Sequence, residues 1–243
     1  MFKSLSVAVA VSAAIAAPAF AAPNLVVNGG FEQSSYTSNT QFGAGFGGQG
    51  VTGWTGLGGN HLQFYFFGGT QTTTNAVNQF NDPQGYFRPN FSTLSPQGGN
   101  FVALDGDSDY DGSISQLITG LNVGSQYRLT FSWAASQLIN RTGPTTEQLV
   151  GSFGGSTFAT DVVSVASEGF EGWFDEAFTF TATSTSQVLT FLSVGTPNGL
   201  PPIAALDGVS LTAVPEPATW GLMIAGFAMV GIASRRRMPT TAS

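Results

Sequence analysis

The chain is predicted to fold as an all-β antiparallel β-sandwich, most simply a jelly roll. Three observations lead there. Polar and apolar residues alternate in several short runs, no stretch of the body sustains helical periodicity, and turns rich in glycine, proline and asparagine separate the runs. At 243 residues the chain holds one all-β domain of ordinary size with a real core, plus terminal segments.

The runs come in order. "NLVVNG" at 24–29 and "HLQFYFF" at 61–67 open the series, the second placing Leu62, Phe64 and Phe66 on one side. Between them "SNTQFGAGFGGQGVTG" at 38–53 is low in complexity and reads as a loop. "NFVALDG" at 100–106 and "GSISQLI" at 112–118 follow. In "YRLTFSWAA" at 127–135, Tyr127, Leu129, Phe131 and Trp133 alternate with Arg128, Thr130 and Ser132, the period-2 signature of a strand with one buried face. "FDEAFTFTA" at 174–182, "SQVLTFLSV" at 186–194 and "ALDGVSLTA" at 205–213 complete the set, with "NVGS" and "TPNGLPP" as intervening turns.

Charge limits the partners. Three arginines oppose 13 carboxylates between residues 22 and 214, a net charge of −10, so no basic stripe exists for nucleic acid. The chain has no cysteine, which excludes disulfides and thiolate chemistry, and His61 is its only histidine. A multi-histidine metal centre is therefore excluded, and a serine triad would have to use that one residue. His61 reads as a strand-edge residue. The pattern is that of a non-enzymatic protein; a polysaccharide hydrolase would need two facing carboxylates drawn from Glu147, Glu168, Glu171, Asp175 and Glu176.

Two segments bear on metal and sugar. "DGDSDYDG" at 105–112 puts Asp107, Asp109 and Asp111 at alternate positions before Gly112, the first half of an oxygen-rich calcium loop. The twelfth position is Ile118 where a bidentate glutamate is needed, which excludes an EF-hand; a solvated acidic turn is the alternative. Among the aromatics available for sugar stacking (Trp54, Tyr65, Tyr86, Trp133 and Trp173), Trp133 falls on an apolar strand face. Trp54 and Tyr86, beside glycine-rich or polar loops, are the candidate exposed rings.

The termini read as addresses. Lys3, the apolar "LSVAVAVSAAIAAPAF" and the small-x-small Ala19-Phe20-Ala21 form a secretory signal over 1–21, cleaved before Ala22. Residues 22–214 are then the body, 215–237 a distinct tail, and 238–243 a short cytoplasmic end. From Trp220 to Ala233 the tail is apolar or glycine, but about 1.5 Å per residue gives roughly 21 Å against a bilayer core of about 30 Å. That makes a short membrane helix and a poor permanent anchor. Arg235, Arg236 and Arg237 face the cytoplasm under the positive-inside rule, and Pro215 and Pro217 stop a helix from extending upstream.

Pro215-Glu216-Pro217, Trp220, the short apolar helix and the arginine run together resemble the PEP-CTERM sorting signal of Gram-negative bacteria. The resemblance implies recognition by an exosortase, transient residence in the inner membrane, and delivery to the cell surface or extracellular space. It further implies a structural or adhesive role in exopolysaccharide or biofilm. The body resembles galactose-binding-like β-sandwiches, including carbohydrate-binding modules, through "NLVVNGGFE" at 24–32, "GWT" at 53–55, "SPQGGNFVALDG" at 95–106, "GSISQLITGLNVGSQYRLTFSWA" at 112–134 and "ALDGVSLT" at 205–212. This second resemblance implies that extracellular polysaccharide is a partner and that a structural calcium is held by Glu32 and Asp207; two surface acids at strand ends are the alternative.

Overall fold

The computed structural model describes residues 22–43, 50–57, 61–68, 90–91, 93–214, 221, 224–226 and 228–229. Within them twelve strands run β1 (Thr40–Phe42), β2 (Thr55–Gly56), β3 (Gln63–Phe66), β4 (Phe101–Asp105), β5 (Ser113–Thr119) and β6 (Gln126–Gln137). Then come β7 (Thr145–Phe153), β8 (Ser156–Ala159), β9 (Val163–Val165), β10 (Phe170–Thr181), β11 (Ser186–Thr196) and β12 (Pro202–Ala213). One six-stranded sheet has the order β1-β3-β4-β12-β6-β10; the other has β2-β5-β11-β7-β8, with β9 paired to the far part of β7. All pairings are antiparallel. From β4 to β12 the chain crosses repeatedly between the sheets, and β12 returns beside β4. That is jelly-roll winding, and the predicted fold class holds.

The alternation in the sequence explains which faces meet. In β11, Leu189 and Phe191 point inward while Val188, Thr190 and Leu192 point out, and β5 does the same with Ile114 and Ile118 inside. From the first sheet Leu104, Leu129, Phe131, Trp133, Leu206 and Leu211 meet them, forming the main core between the layers. Aromatic rings dominate it, Phe131 lying 5.1 Å edge-on from Phe191.

A second apolar cluster lies on the outer face of the six-stranded sheet. Phe64, Phe66, Phe91, Phe101, Ala134 and Ala205 pack there, which is why Trp133, Ala134 and Ala135 of β6 are buried on both faces. Trp173 sits half-buried at its rim, edge-on to Phe101 at 5.8 Å.

Two sequence expectations need correcting. Residues 24–29 form no strand: the chain turns over 27–30, and beside two isolated backbone bonds to β12 (Leu25 N–H to the Leu211 carbonyl and Val209 N–H to the Gly29 carbonyl, both 2.9 Å) side chains hold it. Asn24 Oδ1 accepts the Val26 and Leu211 N–H groups at 3.0 and 2.9 Å, and the buried Gln116 amide clamps Val27 through both its N–H and its carbonyl. Residues 40–42, read as loop, pair with β3 as β1. Among the described residues no helix is long and apolar enough to cross a membrane; positions 221, 224–226 and 228–229 are helical. The cleavage residues Ala19 and Ala21, together with Pro215, Glu216, Pro217, Trp220 and Arg235–Arg237, lie outside the described residues, while Ala22 begins them.

Candidate functional site

On the outer face of the six-stranded sheet, next to the second apolar cluster, β6 and β10 leave a groove of about 330 Å³. Their register dictates its lining. Asp175 stands opposite Ser132, Ala177 opposite Thr130, Thr179 opposite Arg128, and Trp173 opposite Ala134. Period-2 alternation therefore brings Trp173, Asp175 and Ala177 to one face beside Arg128, Thr130 and Ser132. The third wall comes from the bulge in β12 between Asp207 and Ser210, where Gly208 holds φ +62°, and from Gln97 lying over it. A Cβ at position 208 would come within 2.4 Å of Gln97 Cγ, so only glycine lets that wall close.

Polar groups in the groove are pre-oriented. The Ser132 hydroxyl donates to Asp175 Oδ1 at 2.6 Å, and Gln97 Nε2 donates to the Ser132 oxygen at 3.4 Å. Arg128 and Asp175 are exposed, so the groove offers a cationic donor and an anionic acceptor to one visitor. At its end the Trp173 indole donates to the Thr93 carbonyl at 3.4 Å, fixing the ring.

Behind the groove lies the proposed calcium pair. Asp207 is fully buried; its Oδ2 accepts the Ser95 hydroxyl and its Oδ1 the Gly208 N–H at 2.7 Å. Burial pushes its carboxyl up to about 7 despite those bonds, and the nearby Glu32 charge adds to the rise. Glu32 Oε1 accepts the Asn100 N–H at 2.7 Å, and glycine at 99 makes its room, since a Cβ there would lie 1.7 Å from that oxygen.

The aspartate loop is built differently from the expected calcium loop. Asp107 is buried and spends Oδ1 on the Asp109 N–H at 3.0 Å and Oδ2 on the Gly199 N–H at 2.5 Å. Asp111 turns to His61, 2.8 Å away, while Asp109 stays exposed. The three do not converge, and among the described residues no group of three or more histidine, aspartate or glutamate side chains forms a metal cradle. Asp107 serves the backbone, accepting two N–H groups.

The aromatic expectations also divide. Trp54 is 1% exposed, packed 5.3 Å from Phe31 and 6.2 Å from Phe191 with its indole donating to the Asn28 carbonyl at 3.0 Å, so it is core and cannot serve as a platform. The glycine-rich flank that suggested exposure instead lets the chain fold over the ring. Tyr65 and Trp133 are buried too, and Tyr86 lies outside the described residues. Trp173 is the half-exposed ring beside the groove.

Sequence reasoning named Glu147 as one possible hydrolase carboxylate but did not place it, buried, with Asp105. Glu147 stands at an inward position of β7, its Oε1 taking the Ser193 hydroxyl at 2.7 Å. Inward parity in "TTEQLV" was the signal that could have found it.

Comparison with known proteins adds the following. The family described as "Protein of unknown function (DUF642)" matches residues 84–209, just over half of the chain. The PEP-CTERM protein-sorting motif matches residues 213–237. No curated protein matches. Among solved structures, the chain is similar to TmCBM61 in complex with beta-1,4-galactotriose, at 16% identity over 79% of this chain and 99% of that one, with a TM-score of 0.40. It is similar to the CBM22-1 xylan-binding domain of Paenibacillus barcinonensis Xyn10C, at 13% identity over 82% and 100%, with a TM-score of 0.40. A CBM4 structure gives 16% identity over 78% and 99%, with a TM-score of 0.35.

Proposed function

The chain belongs to the DUF642 family, and from that premise we propose that it is an exported, non-catalytic adhesion protein whose body holds extracellular polysaccharide in the groove between β6 and β10. The signal at 1–21 directs export. An exosortase then reads Pro215-Glu216-Pro217 while the short apolar helix rests in the inner membrane, and the acidic body passes to the cell surface or matrix.

One observation supports the reading of the body: the register of β10 with β6 sets Trp173 on the same sheet face as the groove, next along β10 from Asp175, while Arg128, Gln97 and Asp175 line the groove itself. A pyranose has an apolar C–H face and a rim of hydroxyls. The indole suits the first, and a guanidinium, an amide and a carboxylate suit the second. The groove is open and shallow, the shape for one stretch of a polymer passing across.

Calcium belongs to this reading as a structural ion between Glu32 and Asp207. It would neutralise their repulsion and stiffen the wall formed by Ser95, Gln97 and Gly208.

Affinity electrophoresis of the exported protein against neutral and acidic polysaccharides tests the proposal. Retardation that is lost in Trp173→Ala and weakened in Arg128→Ala supports it. Retardation indifferent to both variants places binding elsewhere, and none on any polymer removes the adhesive reading.

A further inference from the structure

The outer face of the β2-β5-β11-β7-β8 sheet is the opposite of the groove in character. Every side chain that its strands turn outward is uncharged, in a body of net charge −10. The registers lay hydroxyls in a row across five of its six strands, Thr55–Ser115–Thr190–Ser152–Thr157. Apolar rows flank it, Leu117 opposite Val188 on one side and Leu192 opposite Val150 on the other. Each flank forms a shallow hollow, one with Val27, Leu117 and Val188, the other with Val150, Phe158 and Leu192. Leu117 is 61% exposed and Val188 46%, unusual for neighbouring aliphatic side chains on a free surface.

We propose that this face is where two copies of the chain pack back to back. Charge argues first: two bodies of −10 repel wherever carboxylates meet, and this sheet face carries none. Desolvation argues next. Ser152 and Thr190 already share a hydrogen bond at 2.8 Å, and Thr146 and Thr196 another at 2.7 Å, so burying them strands few polar groups. The area is adequate. The sheet's strands hold 36 residues, and at about 3.4 Å by 4.8 Å each they cover roughly 600 Å² per copy, above crystal-contact size in total and at the lower end of a standard interface. A two-fold axis through such a face repeats sheet-on-sheet packing, the aliphatic flank of one copy entering a hollow of the other.

A polysaccharide is the less fitting occupant. No outward residue of this sheet is aromatic, so a sugar would find no ring to stack on. Back-to-back pairing also turns the two β6–β10 grooves away from each other. A dimer would then cross-link two polymer strands, although the pairing itself does not rest on the groove's binding anything.

Sedimentation equilibrium of the exported protein over a wide concentration range tests this. A concentration-dependent dimer is expected. Leu117→Asp and Val188→Asp, both at exposed positions that leave the core intact, should weaken it roughly tenfold or more by setting like charges against each other. Val123→Asp, at a 62% exposed valine in the β5–β6 turn away from this face, should leave it unchanged. A monomer at every concentration overturns the proposal, as does a dimer untouched by both aspartates. If the wild type is monomeric and the aspartates instead abolish retention on a neutral polysaccharide, the face takes polymer and the dimer is wrong.

Discussion

Asp105 at the end of β4 and Glu147 in β7 are both buried, and each keeps one carboxylate oxygen without a hydrogen-bond partner. Burial pushes Asp105 up to about 8, with Asp107 and Asp111 adding to the rise; burial raises Glu147 well above the usual range, with Asp105 contributing. The one ion pair among the described residues, His61 with Asp111, leaves both acids without a cation. Both acids are therefore held protonated near neutral pH, the neutral form being the cheaper one to bury.

The pH dependence follows from the sign of these shifts. Between pH 3.8 and about 8 folded Asp105 keeps a proton that the unfolded chain has released, so stability is highest on the acid side and falls as pH rises through this window. Asp207, raised from 3.8 to about 7, acts in the same direction. Melting temperature measured from pH 4 to 9 should decline and then level, and Asp105→Asn should flatten much of the slope. A melting temperature that climbs across the window would show the acids to be ionised and paired.

Trp54 and Trp173 should separate folding from binding. Trp54→Ala removes a fully packed ring and should cost about 3–5 kcal/mol in denaturant unfolding. Trp173→Ala, at the rim, should cost much less yet weaken polysaccharide binding by about 2 kcal/mol, roughly 30-fold. The reverse pattern would return Trp54 to the surface.

Why the sequence misled at Trp54 and not at Trp133 is physical. Alternation in "YRLTFSWAA" fixes which way Trp133 points, whereas Trp54 follows an irregular segment whose path depends on Asn28 and Gln116, far away in the chain. Seven of the eight runs read as strands are strands. The stretch from Thr145 to Val165 was missed because β7 turns Thr145 and Glu147 inward, breaking the apolar alternation. The groove was illegible for another reason. Gln97, Arg128, Asp175 and Gly208 come from four distant segments, and only the register of β6 with β10 and β12 brings them together.

Calcium should act through Glu32 and Asp207 and not through the aspartate loop. Because Asp207 sits near 7, a cation must displace its proton at mildly acid pH, so the calcium-induced rise in melting temperature should grow as pH goes from 6 to 8. Asp207→Asn should abolish the rise. Asp107→Asn, which disturbs bonds to the Asp109 and Gly199 backbone, should lower stability equally with and without calcium. No rise at saturating calcium at either pH would leave the pair without an ion.

The proposed processing of the tail runs through an apolar segment too short for the membrane. As a helix its 14 apolar or glycine positions would reach about 21 Å, so in the proposed processing the arginines at 235–237 would hold the cytoplasmic end while Pro215-Glu216-Pro217 stays at the outer surface. Replacing the arginines with alanine removes that hold, and replacing Glu216 with alanine removes the one charge in the proline pair. In a host with exosortase both variants should accumulate as tail-bearing precursor in the inner membrane, while the wild type is recovered lacking the tail, as mass spectrometry of membranes and supernatant would show. Equal release of all three would mean that neither the motif nor the positive end is read, and full-length wild-type chain as the stable product would make the segment an anchor.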